Sequence, residues 1–419
     1  MSRSPTALLA ALLCTTALAL SQPALAANNH PLVLVSGFLG FGPDQYKGSG
    51  FLYWGGFNDI VDHLRDKGAH QVLAASVAPI SSNWDRAVEL YYQIKGGCVD
   101  YGQLHSSRHA HRDGVQKPAG KCWAADPARN PEHYPLAFYP QWDERHPVHL
   151  IGHSQGGTTI RALIELLEHG SPDGDEGGAE LYAGGKLGWV LSATTISAPH
   201  NGTTLRDAVL DFSPLIAAWS GHVAQMAHSP VSVWGGASKG NDLLSDYDSA
   251  QLELAPDGAR VFNAWARTSP QVYYFSIATR ATEAGAACCN QTDRLIAPLQ
   301  HKAYQYPRAD MMFFFKTTAG EWIAPLYLQR GIGSYTQSAP ERVPVDSSWF
   351  ANDGVVNTIS MRAPAGHPQR NYDGRAVRGS WNFVREYRGY DHFDVLGWPG
   401  VTRSAYPVYD QIAAIVYGL

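Results

Sequence analysis

The stretch VHLIGHSQGGTTIRALIELLEHG, residues 148–170, decides the fold. Its apolar start predicts a buried strand, and the apolar residues after the glycines recur at the three-to-four spacing of a helix: Ile160, Leu163, Ile164 and Leu167. Gly-x-Ser-x-Gly arises by chance in a glycine-rich chain, so the motif alone is weak. A strand before it and a helix after it favour a nucleophile elbow at Ser154 over a serine in an ordinary turn.

Strand-like and helix-like stretches alternate around this turn. The predicted strands are residues 30–38, 70–77, 148–152, 188–197 and 271–279, and the predicted helices are residues 57–68, 83–97 and 156–170. Such alternation is typical of a mostly parallel sheet with helices on both faces, and with the elbow it predicts an α/β-hydrolase fold. Loops rich in Gly and Pro separate these elements at residues 112–142, 171–185 and 363–379, while residues 280–350 show no clear pattern.

The composition is that of an ordinary globular protein. A net charge of −5, with 45% hydrophobic and 16% charged residues, shows neither a disorder signature nor the basic surface that nucleic acid requires. We therefore predict no nucleic-acid partner.

The N-terminal residues 1–26 are predicted to be a secretory signal. Arg3 precedes an apolar run that ends in Ala24-Leu25-Ala26, a small-x-small cleavage pattern. We therefore expect a secreted protein, either extracellular or periplasmic. No comparable apolar run follows, so no transmembrane segment is predicted, and residues 27–419 are expected to form a single domain and a monomer.

Four cysteines follow the predicted signal, and four cysteines allow three disulfide connectivities. Cys98 and Cys122 flank one long loop, which makes them the economical pair in an oxidising compartment. Cys288 and Cys289 would then be an adjacent strained pair or free thiols.

A nucleophile at Ser154 requires a base and an acid further along the chain, because this fold orders them serine, then carboxylate, then histidine. Asp353 lies in the turn-forming Asn-Asp-Gly of WFANDGVVNTISM, and only His367 and His392 follow it. His392 lies in the aromatic stretch YRGYDHFDVLGW and is the predicted base. Taken singly, Asp353 is equally well explained as a turn cap and His392 as a satisfied half-buried histidine; the chain order favours a triad.

Two backbone N–H groups are expected to form the oxyanion hole. One belongs to the residue after the nucleophile, Gln155, and the other to a loop after an early strand. The stretch SGFLGFG follows the first predicted strand, so the N–H of Phe38 is the natural second donor.

A second group of acids and histidines lies in residues 81–114. These are Asp85, Asp100, His105, His109 and His111. Two imidazoles and two carboxylates make a closed tetrahedral zinc site, but a solvated histidine-rich loop explains the spacing equally well. His-Glu-x-x-His is absent from the sequence, which argues against a zinc protease.

The chain resembles the secreted zinc-containing bacterial lipases of family I.5, the thermostable Bacillus-type group. The matching stretches occur in order along nearly the whole chain after residue 26: VSGFLGFG, YWGG, SSNWDRA, GGCVDYG, HSSRHAH, GHSQGGTTIR, TTISAPHNGTTL, NDGVVNTISM and DHFDVLG. SSNWDRA and VDYG with the trailing histidines are specific to that group, whereas Gly-His-Ser-Gln-Gly is not.

The resemblance implies roles for particular residues. It supports Ser154, Asp353 and His392 as the triad, and Phe38 and Gln155 as the oxyanion donors. It also implies a structural Zn²⁺ in an insertion at about residues 81–145, held by a distant aspartate together with three nearby ligands: Asp85, His105 and His111. Asp248 in SDYDSAQLEL aligns best as that aspartate, with Asp246 as the neighbouring alternative.

The sequence departs from the family in three places. Ser36 replaces the usual histidine before the first glycine of the oxyanion loop, and the segment before Asp248 is shorter, which implies a smaller lid. Asp394 keeps one acid of the family's Ca²⁺ site, but the second aligns with Pro399. Calcium binding is therefore left open.

These features predict a serine carboxylic ester hydrolase that acts on acylglycerols, or on another ester, at a lipid interface. A hydrolase of polymeric esters and a short-chain esterase would use the same triad with a differently shaped cleft. A zinc-stabilised binding protein with a relic site is the alternative outside enzymes, and an intact, correctly ordered triad argues against it.

A lid is predicted at about residues 203–247. Apolar residues there recur every three or four positions, which favours one helical face, although an ordinary core helix has the same periodicity. Ser213 and Pro214 suit a helix start, and Gly221 weakens the helix interior. The residues expected to cover the substrate cleft are Phe212, Leu215, Ile216, Trp219, Val223 and Met226.

Replacing Trp219, Val223 and Met226 together by serine tests the lid. A lid turns its apolar face toward lipid, so we expect a much larger loss of activity on emulsified long-chain triglyceride than on a soluble short-chain ester. Parallel assays on the two substrates measure the difference. Equal losses, or no change on either substrate, would show that the segment is not a lid.

Overall fold

The structure is a computed structural model that describes residues 28–43, 50–68, 71–108, 122–174, 179–208, 248–285, 294–297, 313–316, 322–326, 332–398 and 403–419. The predicted signal and the predicted lid residues from Phe212 to Met226 lie outside these ranges, as do His111, Asp246, Cys288 and Cys289. Within the described ranges, no helix is long and apolar enough to cross a membrane.

The helices and strands largely alternate in the first half of the chain, from residue 32 to residue 196. The helices are α1 Ile60–Asp66, α2 Asn83–Lys95, α3 Gln103–Arg108, α4 Gln155–His169, α5 Thr204–Ala208, α6 Ala250–Glu253, α7 Pro256–Trp265 and α8 Tyr406–Tyr417. The strands are β1 Leu32–Val35, β2 Val72–Ala74, β3 Gly97–Cys98, β4 Cys122–Trp123, β5 Val148–His153, β6 Val190–Ile196, β7 Tyr273–Arg280, β8 Thr282–Glu283, β9 Arg294–Leu295, β10 Phe313–Lys316, β11 Trp322–Leu326, β12 Gln369–Asn371 and β13 Trp381–Arg388. Single 3-10 turns lie at Pro127–Arg129, Glu180–Ala183, Ile332–Ser334, Ser347–Trp349, Thr358–Met361 and Asp394–Leu396.

Seven strands form the central sheet in the order β12-β13-β7-β6-β5-β1-β2. Each described pairing in it is parallel. The five predicted strands and the three predicted helices are all present, so the predicted α/β-hydrolase-like fold is confirmed. The strands at the β12 edge were missed, and β12 lies inside a predicted loop. Its side chains are polar and largely exposed, so no apolar pattern marks it.

Two separate cores cover the two faces of the sheet. Leu32 and Leu34 of β1 pack with the apolar residues of α1 and α8, whereas Val33 and Val35 pack with those of α2, α4 and α7. Alternate residues of a strand point to opposite faces, so a continuous apolar run such as LVLV fits a strand buried on both sides. Because the strands are parallel, the carboxyl ends of β1, β5 and β7 all lie at the same side of the sheet, between its two layers of helices.

Helix α4 is buried along nearly its whole length, although the sequence indicated only one apolar face. The polar side chains of the helix are paired with the end of α7 and with the residues that follow it. Arg161 donates to Asn263 Oδ1 at 2.8 Å and to the Ala266 carbonyl at 3.0 Å, and Glu165 accepts from Arg267. Burying polar groups is costly unless they are paired, so these contacts stabilise the position of α4 against residues 263–267.

The predicted Cys98–Cys122 disulfide is confirmed. The two cysteines pair across the small antiparallel sheet of β3 and β4, in the register Cys98↔Cys122. The bridge closes the loop that carries all of α3, including His105.

Acid should destabilise the fold through His149. This histidine of β5 is fully buried, with Nδ1 at 2.7 Å from Ser192 Oγ and Nε2 at 2.8 Å from Asn28 Oδ1. Burial, with a smaller contribution from His30, lowers the pKa of His149 to about 3. Below pH 6.5 the unfolded chain therefore binds the proton first, and stability is lost as the pH falls from about 6.5 toward 3.

Urea unfolding at pH 7 and pH 4.5 measures this loss. His149→Gln removes the titrating group and should reduce the pH-dependent loss of unfolding free energy by about 2 kcal/mol. His133→Gln, at an exposed histidine, is the control and should leave the pH dependence unchanged. An unaltered pH dependence in His149→Gln would contradict the assignment.

Candidate active site and metal cluster

Ser154 lies in a strained turn between β5 and α4. Its backbone has φ 55° and ψ −129°, a conformation that a non-glycine residue keeps only where the surroundings impose it. A Cβ on Gly152 would lie 2.4 Å from the Gly156 carbonyl carbon, and one on Gly156 would lie 2.1 Å from the Val35 carbonyl oxygen. Both glycines of the motif are thus required by close backbone approach, as a nucleophile elbow demands.

The structure brings Asp353 and His392 together beside the elbow. Asp353 Oδ2 lies 2.7 Å from His392 Nδ1, and both side chains are buried. His392 lies beside the elbow, because the Nε2 of His153 is 3.0 Å from the His392 carbonyl oxygen. A carboxylate only accepts, so this contact assigns the proton of the His392 ring to Nδ1 and leaves Nε2 as a potential base.

Asp353 is both a turn cap and the partner of the histidine. Its Oδ1 accepts from the N–H groups of Val355 and Val356, at 3.0 and 2.8 Å. Its Oδ2 also accepts from Thr279 Oγ1 at 2.7 Å. The turn cap therefore fixes one carboxylate oxygen and leaves the other to face His392.

Thr279, near the carboxyl end of β7, was not predicted as part of the site. Its hydroxyl donates to Asp353 and contacts Ser197 Oγ at 2.7 Å. The available signal was positional: β7 is parallel to β5, so its carboxyl end lies at the same edge as Ser154.

The loop after β1 lies directly against Ser154. A Cβ on Gly37 would lie 2.6 Å from the Ser154 Cβ. Phe38 follows Gly37 in the chain and Gln155 follows Ser154, so both predicted oxyanion residues border this contact. The Gln155 side chain is used elsewhere: its Nε2 donates to the Ser81 carbonyl at 3.0 Å.

Arg86 of α2 holds this loop and was also not predicted. Its guanidinium is fully buried and donates to the Ser36 carbonyl, to the Ala78 carbonyl at 2.5 Å and to Thr159 Oγ1 at 2.9 Å. Three acceptors offset the cost of burying the guanidinium group. The loop that carries Phe38 is therefore attached to a helix as well as to a strand.

Asp85, His105 and Asp248 converge in a buried cluster whose potential ligand atoms lie within 4.8 Å of one another. His105 Nε2 is 3.1 Å from Asp85 Oδ1 and 3.3 Å from Asp248 Oδ2. Trp84 stacks on the His105 ring at 4.9 Å. Two adjacent buried carboxylates repel each other, so a divalent cation fits this donor set.

Two other acids named as metal candidates, Asp100 and Asp394, do not belong to this cluster. Asp100 is exposed, and its Oδ1 accepts from the N–H of Gly102. Asp394, which aligns with one acid of the family's Ca²⁺ site, accepts from the N–H of Asp391 through Oδ2 at 2.8 Å. Among the residues that the structure describes, only Asp85, His105 and Asp248 converge as three potential ligands.

The known proteins to which this chain is similar are described as lipases. Residues 28–213 match the family described as "Lipase-like, C-terminal domain". A lipase of Staphylococcus hyicus is 32% identical over 411 residues, which cover 90% of this chain and 55% of that protein. Two staphylococcal relatives from Staphylococcus epidermidis and Staphylococcus aureus are 29% and 30% identical, and the chain spans about half the length of these curated relatives.

Solved structures share the fold over nearly the full length. Lipase 1 from Pelosinus fermentans is 31% identical with a TM-score of 0.71, over 94% of this chain and 99% of that chain. EstA from Clostridium botulinum is 29% identical with a TM-score of 0.71, over 95% and 90%. The similarity therefore extends over nearly the whole chain.

Proposed function

The chain belongs to a bacterial lipase family, and on that premise we propose that it is a secreted serine carboxylic ester hydrolase whose substrates are triacylglycerols. One observation carries the proposal: a buried carboxylate–imidazole pair, Asp353 and His392, lies beside the strained serine turn at Ser154. The narrower assignment to the Bacillus-type zinc lipases rests on the sequence pattern of SSNWDRA and VDYG.

The reaction proceeds through an acyl-enzyme. His392 Nε2 accepts the Ser154 hydroxyl proton, and the serine oxygen attacks the ester carbonyl carbon. Asp353 holds the imidazole through Nδ1 and stabilises its positive charge. His392 then gives the proton to the leaving alcohol, and a water molecule, activated by the same histidine, releases the fatty acid.

The negative oxygen of the tetrahedral intermediates is stabilised by the N–H groups of Phe38 and Gln155. Preorganised backbone donors of this kind lower the activation free energy by several kcal/mol. Each donor raises kcat on the order of a hundredfold. The close approach of Gly37 to Ser154 supports this role for the loop after β1.

A polyester hydrolase and a short-chain esterase remain alternatives of the same chemistry. The relatives include proteins called lipase and one called EstA, and the six predicted lid residues lie outside the described ranges. An ester series from acetyl to oleoyl, with an aliphatic polyester film, separates the three substrate classes. The non-enzymatic alternative, a zinc-stabilised binding protein, would show no turnover on any of them.

We further propose that the metal cluster holds a structural Zn²⁺. Asp85, His105 and Asp248 would be three ligands, and His111 the fourth according to the sequence pattern. A bound zinc ion would neutralise two buried carboxylates and would join the segment after residue 247 to α2. Four protein ligands leave no position for a reactive water, so the role is structural.

Ser154→Ala should abolish ester hydrolysis while the protein stays folded. Loss of one triad member typically lowers kcat by about 10⁴–10⁶. Turnover of a soluble short-chain ester and labelling by a fluorophosphonate probe are the measurements, with exposed Ser107→Ala as the control. Activity within about tenfold of wild type would rule out Ser154 as the nucleophile.

Removal of the metal should lower thermal stability before it lowers activity at mild temperature. Metal analysis of the purified protein is expected to find zinc, and Asp85→Ala with His105→Ala should remove it and lower Tm. The matched control is Asp143→Ala with His146→Ala, because this pair has a similar Oδ1–Nδ1 contact of 2.8 Å but is exposed. Zinc content near zero in wild type, or full retention in the double variant, is incompatible with the site.

A further inference from the structure

His153, the residue before Ser154, is the centre of a buried hydrogen-bond chain. Its Nδ1 lies 2.7 Å from the Tyr53 hydroxyl, and its Nε2 lies 3.0 Å from the His392 carbonyl oxygen. The Tyr53 oxygen also accepts from the N–H of Gly37 at 2.8 Å. This hydrogen-bond chain thus runs from the loop after β1 to the backbone of His392. All of its residues are buried.

Counting donors and acceptors assigns every proton in the hydrogen-bond chain from Gly37 to His392. The Gly37 N–H only donates, so the Tyr53 oxygen accepts there and its O–H donates to His153 Nδ1. The His392 carbonyl only accepts, so His153 carries its proton on Nε2. A neutral His153 of this tautomer satisfies all four groups, and burial accordingly lowers the pKa of His153 well below the usual value.

The peptide between Ser36 and Gly37 is held at both ends. Arg86 donates to its carbonyl oxygen, and its N–H donates to Tyr53. The next peptide, whose N–H belongs to Phe38, is held through its carbonyl oxygen, because the Gly37 carbonyl accepts from the N–H of Gly40 at 3.0 Å. Tyr53 therefore acts on the oxyanion donor through one intervening residue.

Resting on the proposed function, we propose that Tyr53 and His153 are positioning residues that hold the oxyanion loop and the base His392 in register with Ser154. The Tyr53 hydroxyl fixes the loop, and the His153 Nε2–H fixes the main chain of His392. A neutral His153 also places no second positive charge beside the imidazolium of His392, whose ring centroid lies 4.6 Å away. Neither side chain exchanges a proton with substrate in this role.

Tyr53→Phe is the first test, since it removes only the hydroxyl. We expect kcat on a soluble ester to fall by about 10–100-fold with KM changed less than about twofold, because the loop is misaligned for the transition state and not for binding. The matched control is Tyr409→Phe. Tyr409 is equally buried and donates to the Val395 carbonyl at 2.9 Å, so it loses the same group within the same core.

His153→Gln and His153→Leu provide the second test. A glutamine amide can accept from Tyr53 and donate to the His392 carbonyl, whereas leucine does neither. We expect the kcat of His153→Gln to exceed that of His153→Leu by about tenfold or more. Circular dichroism and Tm identify any variant that fails to fold.

Histidine ¹⁵N NMR tests the chain without reference to activity. Wild type, and the inactive Ser154→Ala variant, should show a neutral Nε2–H tautomer for His153 at pH 7. Tyr53→Phe should change the Nδ1 signal, and Tyr409→Phe should not. A protonated His153, or an Nδ1–H tautomer, would overturn the proposal whatever the enzyme does.

The outcomes separate this proposal from the proposed function. Full activity of Ser154→Ala would show that Ser154 is not the nucleophile, and the proposed function would then be wrong. If Ser154→Ala is inactive but Tyr53→Phe matches Tyr409→Phe in kcat, the function stands and the positioning role is wrong. A parallel fall of kcat and Tm in both tyrosine variants would likewise show that Tyr53 contributes only to packing.

Discussion

The close approach of β1, β5 and α4 at Ser154 is the constraint on which the site depends. Gly156 lies so near the Val35 carbonyl that no side chain fits between the helix and the strand. Ser154 keeps its strained φ of 55° in the turn between β5 and α4, next to this contact. The loop after Val35 also lies against the serine, so the proposed nucleophile and the loop that carries Phe38 are positioned by the same packing.

Helix α2 connects this edge to the buried cluster of Asp85, His105 and Asp248. Asp85 belongs to the cluster, and the next residue, Arg86, donates to the Ser36 carbonyl in the oxyanion loop. Glu89 and Gln93 continue this face of the helix and accept from the N–H groups of Ala78 and Ser76. The cluster and the loop therefore rest on consecutive side chains of one rigid helix.

Polar groups in this protein are buried as linked sets. Thr279, Asp353 and His392 form one set, and Tyr53 with His153 forms another that ends on the His392 carbonyl. Each internal acceptor of these sets has a donor, which makes the geometry specific because any single loss leaves a buried group unpaired. The position of His392 is thus determined from its ring and from its backbone.

The sequence alone predicted the alternation of strands and helices and the strand–turn–helix at Ser154. These are local patterns or motifs, and local patterns need no knowledge of what packs against them. It did not reveal β12, whose polar residues Gln369–Asn371 become a strand only because β13 offers a parallel edge to pair with. Tertiary structure alone decided the roles of Tyr53, Arg86 and Thr279, since each acts on a backbone or carboxylate group at least 16 residues away. Such contacts leave no periodic pattern in the sequence. They form because the fold brings particular strand ends and helix faces together at one edge of the sheet.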